Sequence, residues 1–358
     1  MFYTQLGLSF RTDVRNLKMI VEISPCGRND KKEQSQDGKG IMGKASRLAF
    51  GEALADLGLK YKNVIALDAD LSKSTMTCLF AERFPDRFFE CGIQEANMIG
   101  MGAGLALEGK IPFVCSFACF LTGRFDTIRM SVGYTEANVK LVGTHAGVGI
   151  GEDGHSQMGL EDVALMRTIP GMIVIQPADE IETRQAVEFA IRHTGPVYFR
   201  FTRQKLDDVH DAHYHFEVGK ADLLAPGNDM TLFATGGAVA NALKAKTLLQ
   251  ASHIDARVIN VPTLKPIDSE LILQCARETR CLFTVEDHSI IGGLGSAVAE
   301  VTAEHYPVPV KRWGILDTFG QSGSEKDLYH AYQIYTEGIA AAATAFYHQV
   351  TSGIAAAS

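Results

Sequence analysis

Glu95 is the lone carboxylate in an apolar stretch, Gly92-Ile93-Gln94-Glu95-Ala96-Asn97-Met98-Ile99-Gly100, that runs on through Gly102 and Gly104. Ionising a buried, unpaired carboxyl group is costly, so such a residue keeps its proton or shares it with a bonded neighbour. Two uses fit: a proton donor in catalysis, or a carboxylate stabilised at a helix N-terminus. The glycines permit close helix packing under either, and no third glycine completes a nucleotide fingerprint here.

A second group is Thr144-His145-Ala146-Gly147-Val148-Gly149-Ile150-Gly151-Glu152-Asp153-Gly154-His155-Ser156-Gln157. Gly149, Gly151 and Gly154 satisfy GxGxxG, with Asp179 placed as a ribose-binding acid, so an NAD-binding oxidoreductase is one reading. The strand before it ends several residues too early for the tight turn, and Glu152 with Asp153 would repel a pyrophosphate. A polar loop with histidine, acids and glycines also suits a hydroxyl-rich substrate. A third group, Phe113-Val114-Cys115-Ser116-Phe117-Ala118-Cys119-Phe120, reads as a buried strand delivering two rings at its end. These rings serve either core packing or a platform for a flat heteroaromatic ring. Cys115 and Cys119 read as core rather than metal ligands.

The elements that would position these groups follow from periodicity. From Lys44 the pattern is helical, with Leu48, Leu54 and Leu57 on one face, and a buried strand over 63–66 then leads to Asp68-Ala-Asp70. Further strands are expected over 112–116, 139–143, 172–176 and 197–201, separated by helix-length segments. A second alternation places strands over 230–234, 255–260, 281–285 and 308–314. The expected fold is α/β with two domains, each a mostly parallel sheet with helices on both faces, and ligands bind at the carboxyl ends of such strands. The expected division is a flexible leader 1–43, a first domain 44–207, a linker 208–227, a second domain 228–350 and a tail 351–358. The leader holds the polar stretch 29–40, and Met19 and Met42 are alternative starts. His210, His213 and His215 read as solvated linker residues without a role.

Composition removes several function classes. A net charge of −8 without a Lys/Arg stripe speaks against nucleic acid or an anionic membrane as partner. No apolar run reaches the roughly 18 residues of a membrane span. Arg11, Asp13 and Arg15 occupy the region where a signal peptide would be apolar, which places the chain in the cytoplasm. Seven cysteines, an odd number without a CxxC, suit buried thiols in a reducing compartment better than disulfides.

Taken in order, Ala69-Asp70-Leu71, Gly92-Ile93-Gln94-Glu95, Phe117 to Phe120, Thr144-His145, Gly151-Glu152-Asp153-Gly154 and Thr202-Arg203-Gln204 resemble the pyrimidine-binding domain of transketolases. Pro262-Thr263-Leu264-Lys265-Pro266 and Val285-Glu286-Asp287-His288 before Gly292-Gly293-Leu294-Gly295 resemble that family's C-terminal domain. The resemblance implies thiamine-diphosphate-dependent transfer of a two-carbon ketol unit from a ketose phosphate, or an analogue such as a sulfonated sugar, to an aldose. It implies that Glu95 bonds the cofactor's aminopyrimidine and drives formation of the thiazolium ylid, which needs a carboxyl that retains its proton. Phe120 would stack the pyrimidine with Phe117 beside it, and Asp70 and Leu71 would line the cofactor near the subunit interface. Arg47, Ser74, His145 and Arg203 match residues that hold a substrate phosphate, a role suited to guanidinium forks. Taken singly, Arg47 or Arg203 reads more readily as a surface ion pair, and it is their joint match that favours the phosphate role. Asp153 matches the residue that reads a substrate hydroxyl.

Two departures bear on donor preference: Gln157 stands where the family usually has a histidine, with His155 displaced nearby, and Gly123 stands where some relatives have an aromatic residue. The family's metal-binding Gly-Asp-Gly segment with a later Asn is absent. The resemblance therefore implies a partner, an N-terminal subunit binding the diphosphate and Mg2+ or Ca2+, in a heterotetramer, with this chain inactive alone. Alternatives are the β subunit of a 2-oxo acid dehydrogenase and a non-catalytic partner subunit.

Overall fold

A computed structural model describes residues 42–357. The leader's first 41 residues lie outside them, while Met42 and Gly43, assigned above to the leader, open a strand. In chain order the strands are β1 (Met42–Ala45), β2 (Val64–Asp68), β3 (Phe88–Glu90), β4 (Ile111–Phe117), β5 (Lys140–Thr144), β6 (Ile173–Ile175), β7 (Val197–Arg200), β8 (Lys205–Asp207), β9 (Asp222–Ala225), β10 (Met230–Ala234), β11 (Ala256–Asn260), β12 (Thr263–Lys265), β13 (Leu282–Ser289) and β14 (Val310–Ile315).

Seven strands form one sheet in the order β12-β6-β7-β5-β4-β2-β3, and five form a second in the order β14-β13-β10-β11-β9; β1 and β8 make a small antiparallel pair. Every residue of β2, β4, β5 and β7 is buried, as continuous apolar runs require when helices cover both faces. The period of two assigns the faces. Ile65 and Leu67 point to a core with Met98, Ile99 and Ala103 of helix Glu95–Leu107. Val64 and Ala66 point to the opposite core, with Phe50, Ala53 and Leu54 of helix Ser46–Lys60.

Each strand expected from periodicity is present within a few residues, and four features differ. The three-residue strand β12 lies in the second half of the chain but joins the first sheet, antiparallel to β6 with Thr263 opposite Ile175. The expected linker contains β9, which edges the second sheet antiparallel to β11. Helix Thr336–Ala357 runs through most of the expected tail. Cys91, Cys115, Cys119, Cys275 and Cys281 are free thiols, but Cys78 is disulfide-bonded, against the expectation of thiols throughout. Among the described residues no helix is long and apolar enough to cross a membrane.

The reading of His210 as a solvated residue is also corrected. Its side chain is 2% exposed, with Nδ1 2.8 Å from Asp179 Oδ2, Nε2 3.5 Å from Asp222, and the ring stacked on Tyr214 at 3.7 Å. Asp179 itself caps helix Glu180–Arg192 by accepting from the Glu182 amide at 2.9 Å. A polar composition marked this segment as solvated, and His213 and His215 are exposed, yet His210 is spent on Asp179 and Asp222.

The two sheets are joined by a buried polar hub. Arg200, at the end of β7, donates from Nε to both carboxylate oxygens of Asp162 at 3.1 and 2.9 Å. Its Nη2 reaches the carbonyls of Gly159 at 2.8 Å and of Asp287, on β13, at 2.9 Å. Tyr198 donates to the same Asp162 at 2.8 Å. Both partners of the ion pair are fully buried. The Asp287 carboxylate in turn accepts from the amides of Val148 at 2.8 Å and Gly149 at 3.4 Å. Gly147 makes this approach possible: its φ is +85°, and a Cβ there would lie 2.2 Å from Asp287 Oδ2.

Arg200→Met is expected to leave Asp162 buried and unpaired and to cost about 3–5 kcal/mol, read from urea denaturation. For His210, burial alone would lower the proton affinity, but Asp179 and Asp222 outweigh it and raise the imidazole to about 10. The stability it confers is therefore complete below its free value of 6.5 and is lost as the pH rises through about 10. Urea titrations across that range should show the stability gap between wild type and His210→Gln shrinking with rising pH.

Candidate functional site

The neighbouring strands β2, β4, β5 and β7 run parallel, so their carboxyl ends open onto one edge of the sheet. Asp70 and Leu71 follow β2, Phe117 closes β4, His145 follows β5 and Arg203 follows β7. Arg47 comes from helix Ser46–Lys60 and Ser74 from the short helix Ser72–Thr75, both beside that edge.

Glu95 is the first residue of helix Glu95–Leu107 and is only 6% exposed. Ser116, one residue before the end of β4, donates to its Oε1 at 3.3 Å. The aromatic pair forms a platform: Phe117 and Phe120 are parallel to within 9° with centroids 5.4 Å apart. Phe117 is buried beneath, and Phe120 is partly exposed. Leu71 belongs to the same apolar cluster. The imidazole of His145 stacks on Phe117 at 3.9 Å.

His145 is 3% exposed, has φ +58°, and its Nδ1 shares a hydrogen bond with Thr144 Oγ1 at 2.9 Å. Burial, followed by the charges of Arg47 and Arg203, lowers it to about 3. Its ring is therefore neutral at physiological pH, and the positive charges that act on it are those of the two arginines. Arg47 Nη1 donates to the Ser74 carbonyl at 2.6 Å. Arg203 Nη1 donates to the Ile150 carbonyl at 2.9 Å and pairs with Asp153 at 3.3 Å. Arg203 and Asp153 are both more than 40% exposed, at 44% and 41%, so this pair is open to exchange for a ligand.

The structure thus joins Arg47 to the Ser74 carbonyl, Arg203 to Asp153, and His145 to Phe117, which itself stacks on Phe120. Gln157 sits in the 3-10 turn His155–Gln157 that follows Asp153. Asp70 stands on the exposed rim with φ +64°, its amide bound to Glu90 at 2.7 Å. Gly123, the departure in the platform's wall, is exposed.

The NAD reading loses its physical basis. Gly149 lies in the three-residue 3-10 turn Val148–Ile150, Gly151 follows that turn and Gly154 precedes the turn His155–Gln157, so the glycines do not lead into an α-helix. The amides of Val148 and Gly149, which would face a pyrophosphate, are bound to Asp287. Among the described residues no group of three or more His, Cys, Asp or Glu could hold a metal ion.

Sequence reasoning assigned no role to Asp68, which is fully buried at the end of β2. It accepts from Thr75, Thr77 and the Leu71 amide, while burial raises it to about 7. Those bonds shape the turn that carries Asp70, Leu71 and Ser74. The signal was an acid ending an apolar strand. Arg200 carried the same signal, as a charge ending Val197-Tyr198-Phe199.

Residues 43–208 match the family model for the transketolase pyrimidine-binding domain, and residues 219–339 match that for the transketolase C-terminal domain. The chain is similar to a putative transketolase C-terminal section from Methanocaldococcus jannaschii, 46% identical over 301 residues that cover 83% of this chain and 94% of that one. It is 41% identical to a 6-deoxy-6-sulfo-D-fructose transketolase subunit from Clostridium sp. strain MSTE9, covering 85% of this chain and 94% of that subunit. A solved split-gene transketolase, described as an inactive β4 tetramer, superposes with a TM-score of 0.80 at 45% identity, covering 86% of this chain and 99% of that one.

The depression of His145 has a direct readout. By NMR its imidazole should show no titration between about pH 5 and 8. Replacing Arg203 by methionine removes a cation and should move the titration upward.

Proposed function

The chain belongs to the transketolase family, and from that premise we propose that it is the cofactor-activating subunit of a two-chain enzyme that moves a ketol unit from a ketose phosphate, or a sulfonated analogue, to an aldose in the cytoplasm. The observation that carries this reading is the placement of buried Glu95 beside the β4 end that presents the Phe117–Phe120 platform.

The residues present fit one half of thiamine diphosphate. A flat aminopyrimidine suits a partly exposed ring backed by a second, and a buried carboxyl suits a ring nitrogen that must exchange a proton. When bound, the cofactor supplies the nucleophilic carbon and the electron sink for the two-carbon fragment. Glu95 holds and returns a proton at its carboxyl oxygen. Phe120 orients the ring, Phe117 stiffens that platform, and Leu71 closes its apolar side while Asp70 faces the subunit boundary.

Arg47 and Arg203 supply positive charge to the substrate's phosphate or sulfonate. Ser74 and neutral His145 add hydrogen bonds rather than charge. Asp153 and Gln157 read the hydroxyls of the sugar. Releasing Arg203 from Asp153 frees both groups for the ligand at little cost, because exposed pairs are worth at most about 1 kcal/mol.

The diphosphate and its Mg2+ or Ca2+ belong to a separate N-terminal subunit in a heterotetramer. Support comes from subunit-length relatives and from the description of the 45% identical tetramer of β subunits as inactive. The sulfofructose-active relative supports an acidic sugar as donor.

Co-expression with the product of the neighbouring reading frame, followed by a ketol-transfer assay with thiamine diphosphate and magnesium, tests the reading. Activity should require both chains, and Glu95→Ala should lower kcat by about 100-fold or more without loss of complex formation. A fully active Glu95→Ala complex would refute the assignment.

A further inference from the structure

The loop after β14, residues 316–324, lies in the second half of the chain yet packs on the turn that carries Asp153 and Gln157. Three contacts interlock them. The Gly320 amide donates to His155 Nδ1 at 3.0 Å, and the Phe319 ring lies against the His155 imidazole with centroids 4.4 Å apart. Ser322 Oγ donates to the carbonyl of Glu152. Gly323 and Ser322 lie beside Gly151 and Gly154, where Cβ atoms on those glycines would stand in ordinary van der Waals contact at 3.4 and 3.5 Å.

The fit at Gly320 is tighter still. A Cβ there would lie 2.3 Å from Met158 Sδ, so the backbone itself is the packing surface. From the other side Tyr332 Oη holds the Phe319 carbonyl at 3.1 Å. Met158, 1% exposed, and Ile315, fully buried, share a core cluster with Phe117, so the clamp and the aromatic platform rest on one apolar base.

We infer that the loop 316–324 is the element that positions the 152–157 turn for substrate, with His155 and Gly320 as positioning residues. The second domain then sets donor recognition through its contacts with the turn. The chemistry explains why a histidine at 155 acts here: with Nδ1 accepting from a backbone amide, its ring is spent on holding the turn. Gln157, two residues on, is left to face the sugar. The inference rests on the two-chain transketolase reading for its substrate, but the clamp itself is a property of this chain.

The test uses the complex of both chains with Gly320→Ala, His155→Leu and the conservative His155→Asn, whose side-chain oxygen can replace Nδ1 as acceptor. The expected result is a rise of about tenfold in donor KM for Gly320→Ala and His155→Leu, with kcat and half-saturating thiamine diphosphate within about twofold of wild type. His155→Asn should stay within about twofold in all three. Unchanged donor KM in both damaging variants overturns the inference. So does a KM rise matched by an equal rise in the thiamine diphosphate requirement, since that reports general damage.

Should the wild-type complex lack ketol transfer, the proposed function fails, and hydrogen exchange on the full chain then decides the clamp. The amides of Gly154, Gln157 and Met158 are bound within the turn. Their exchange should quicken by about tenfold in Gly320→Ala and His155→Leu but not in His155→Asn. Unchanged exchange overturns the inference.

Discussion

The Arg200–Asp162 pair constrains everything above it. Two opposite charges without solvent are tolerable only when nearly every donor and acceptor finds a partner. Here the guanidinium reaches Asp162, Gly159 and, across the domain boundary, the carbonyl of Asp287. This ties the end of β7, from which Arg203 projects, to the end of β13. It also fixes the Asp287 carboxylate, which spends its lone pairs on the amides of Val148 and Gly149. The glycine-rich loop is thus pinned from the second domain at its start and held at the 152–157 turn by the 316–324 loop.

A loop held at two points from another domain can present polar side chains without a helix or strand of its own. That arrangement suits a site for a flexible, hydroxylated ligand, whose recognition depends on several weak contacts in fixed relation. The end proposed for the cofactor is built differently. Glu95 and the Phe117–Phe120 platform sit at the N-terminus of a helix and the end of a central strand, where packing leaves little freedom. Under the proposed function, the rigid half would position the chemistry and the clamped half would read the substrate.

Electrostatics at this edge follow from burial more than from residue identity. His145 is held neutral by desolvation and by two arginines, whereas His210, also buried, is held charged by Asp179 and Asp222. The same side chain serves as a neutral stacking donor in one place and as a structural cation in the other. The groups that set the two charges, Arg47 and Arg203 for His145 and Asp179 and Asp222 for His210, are brought in by the fold.

Much of the fold was legible in the chain because periodicity is local. The short run over 63–66, with β-branched Val64 and Ile65, reads as a buried strand, and the alternation of such runs with helical spacing implies parallel sheets. The isolation of Glu95 among apolar residues, and the spacing of Phe117 and Phe120, were likewise visible, since each is a matter of type and sequence distance. What only the tertiary structure decided were pairings between distant residues: β12 crossing to the first sheet, Arg203 meeting Asp153, His210 sealed against Asp179, and Gly320 seated on Met158. Such contacts carry no period. A three-residue strand or a polar side chain finds its partner only after the large apolar faces have packed and brought the two together, so its place depends on the whole fold.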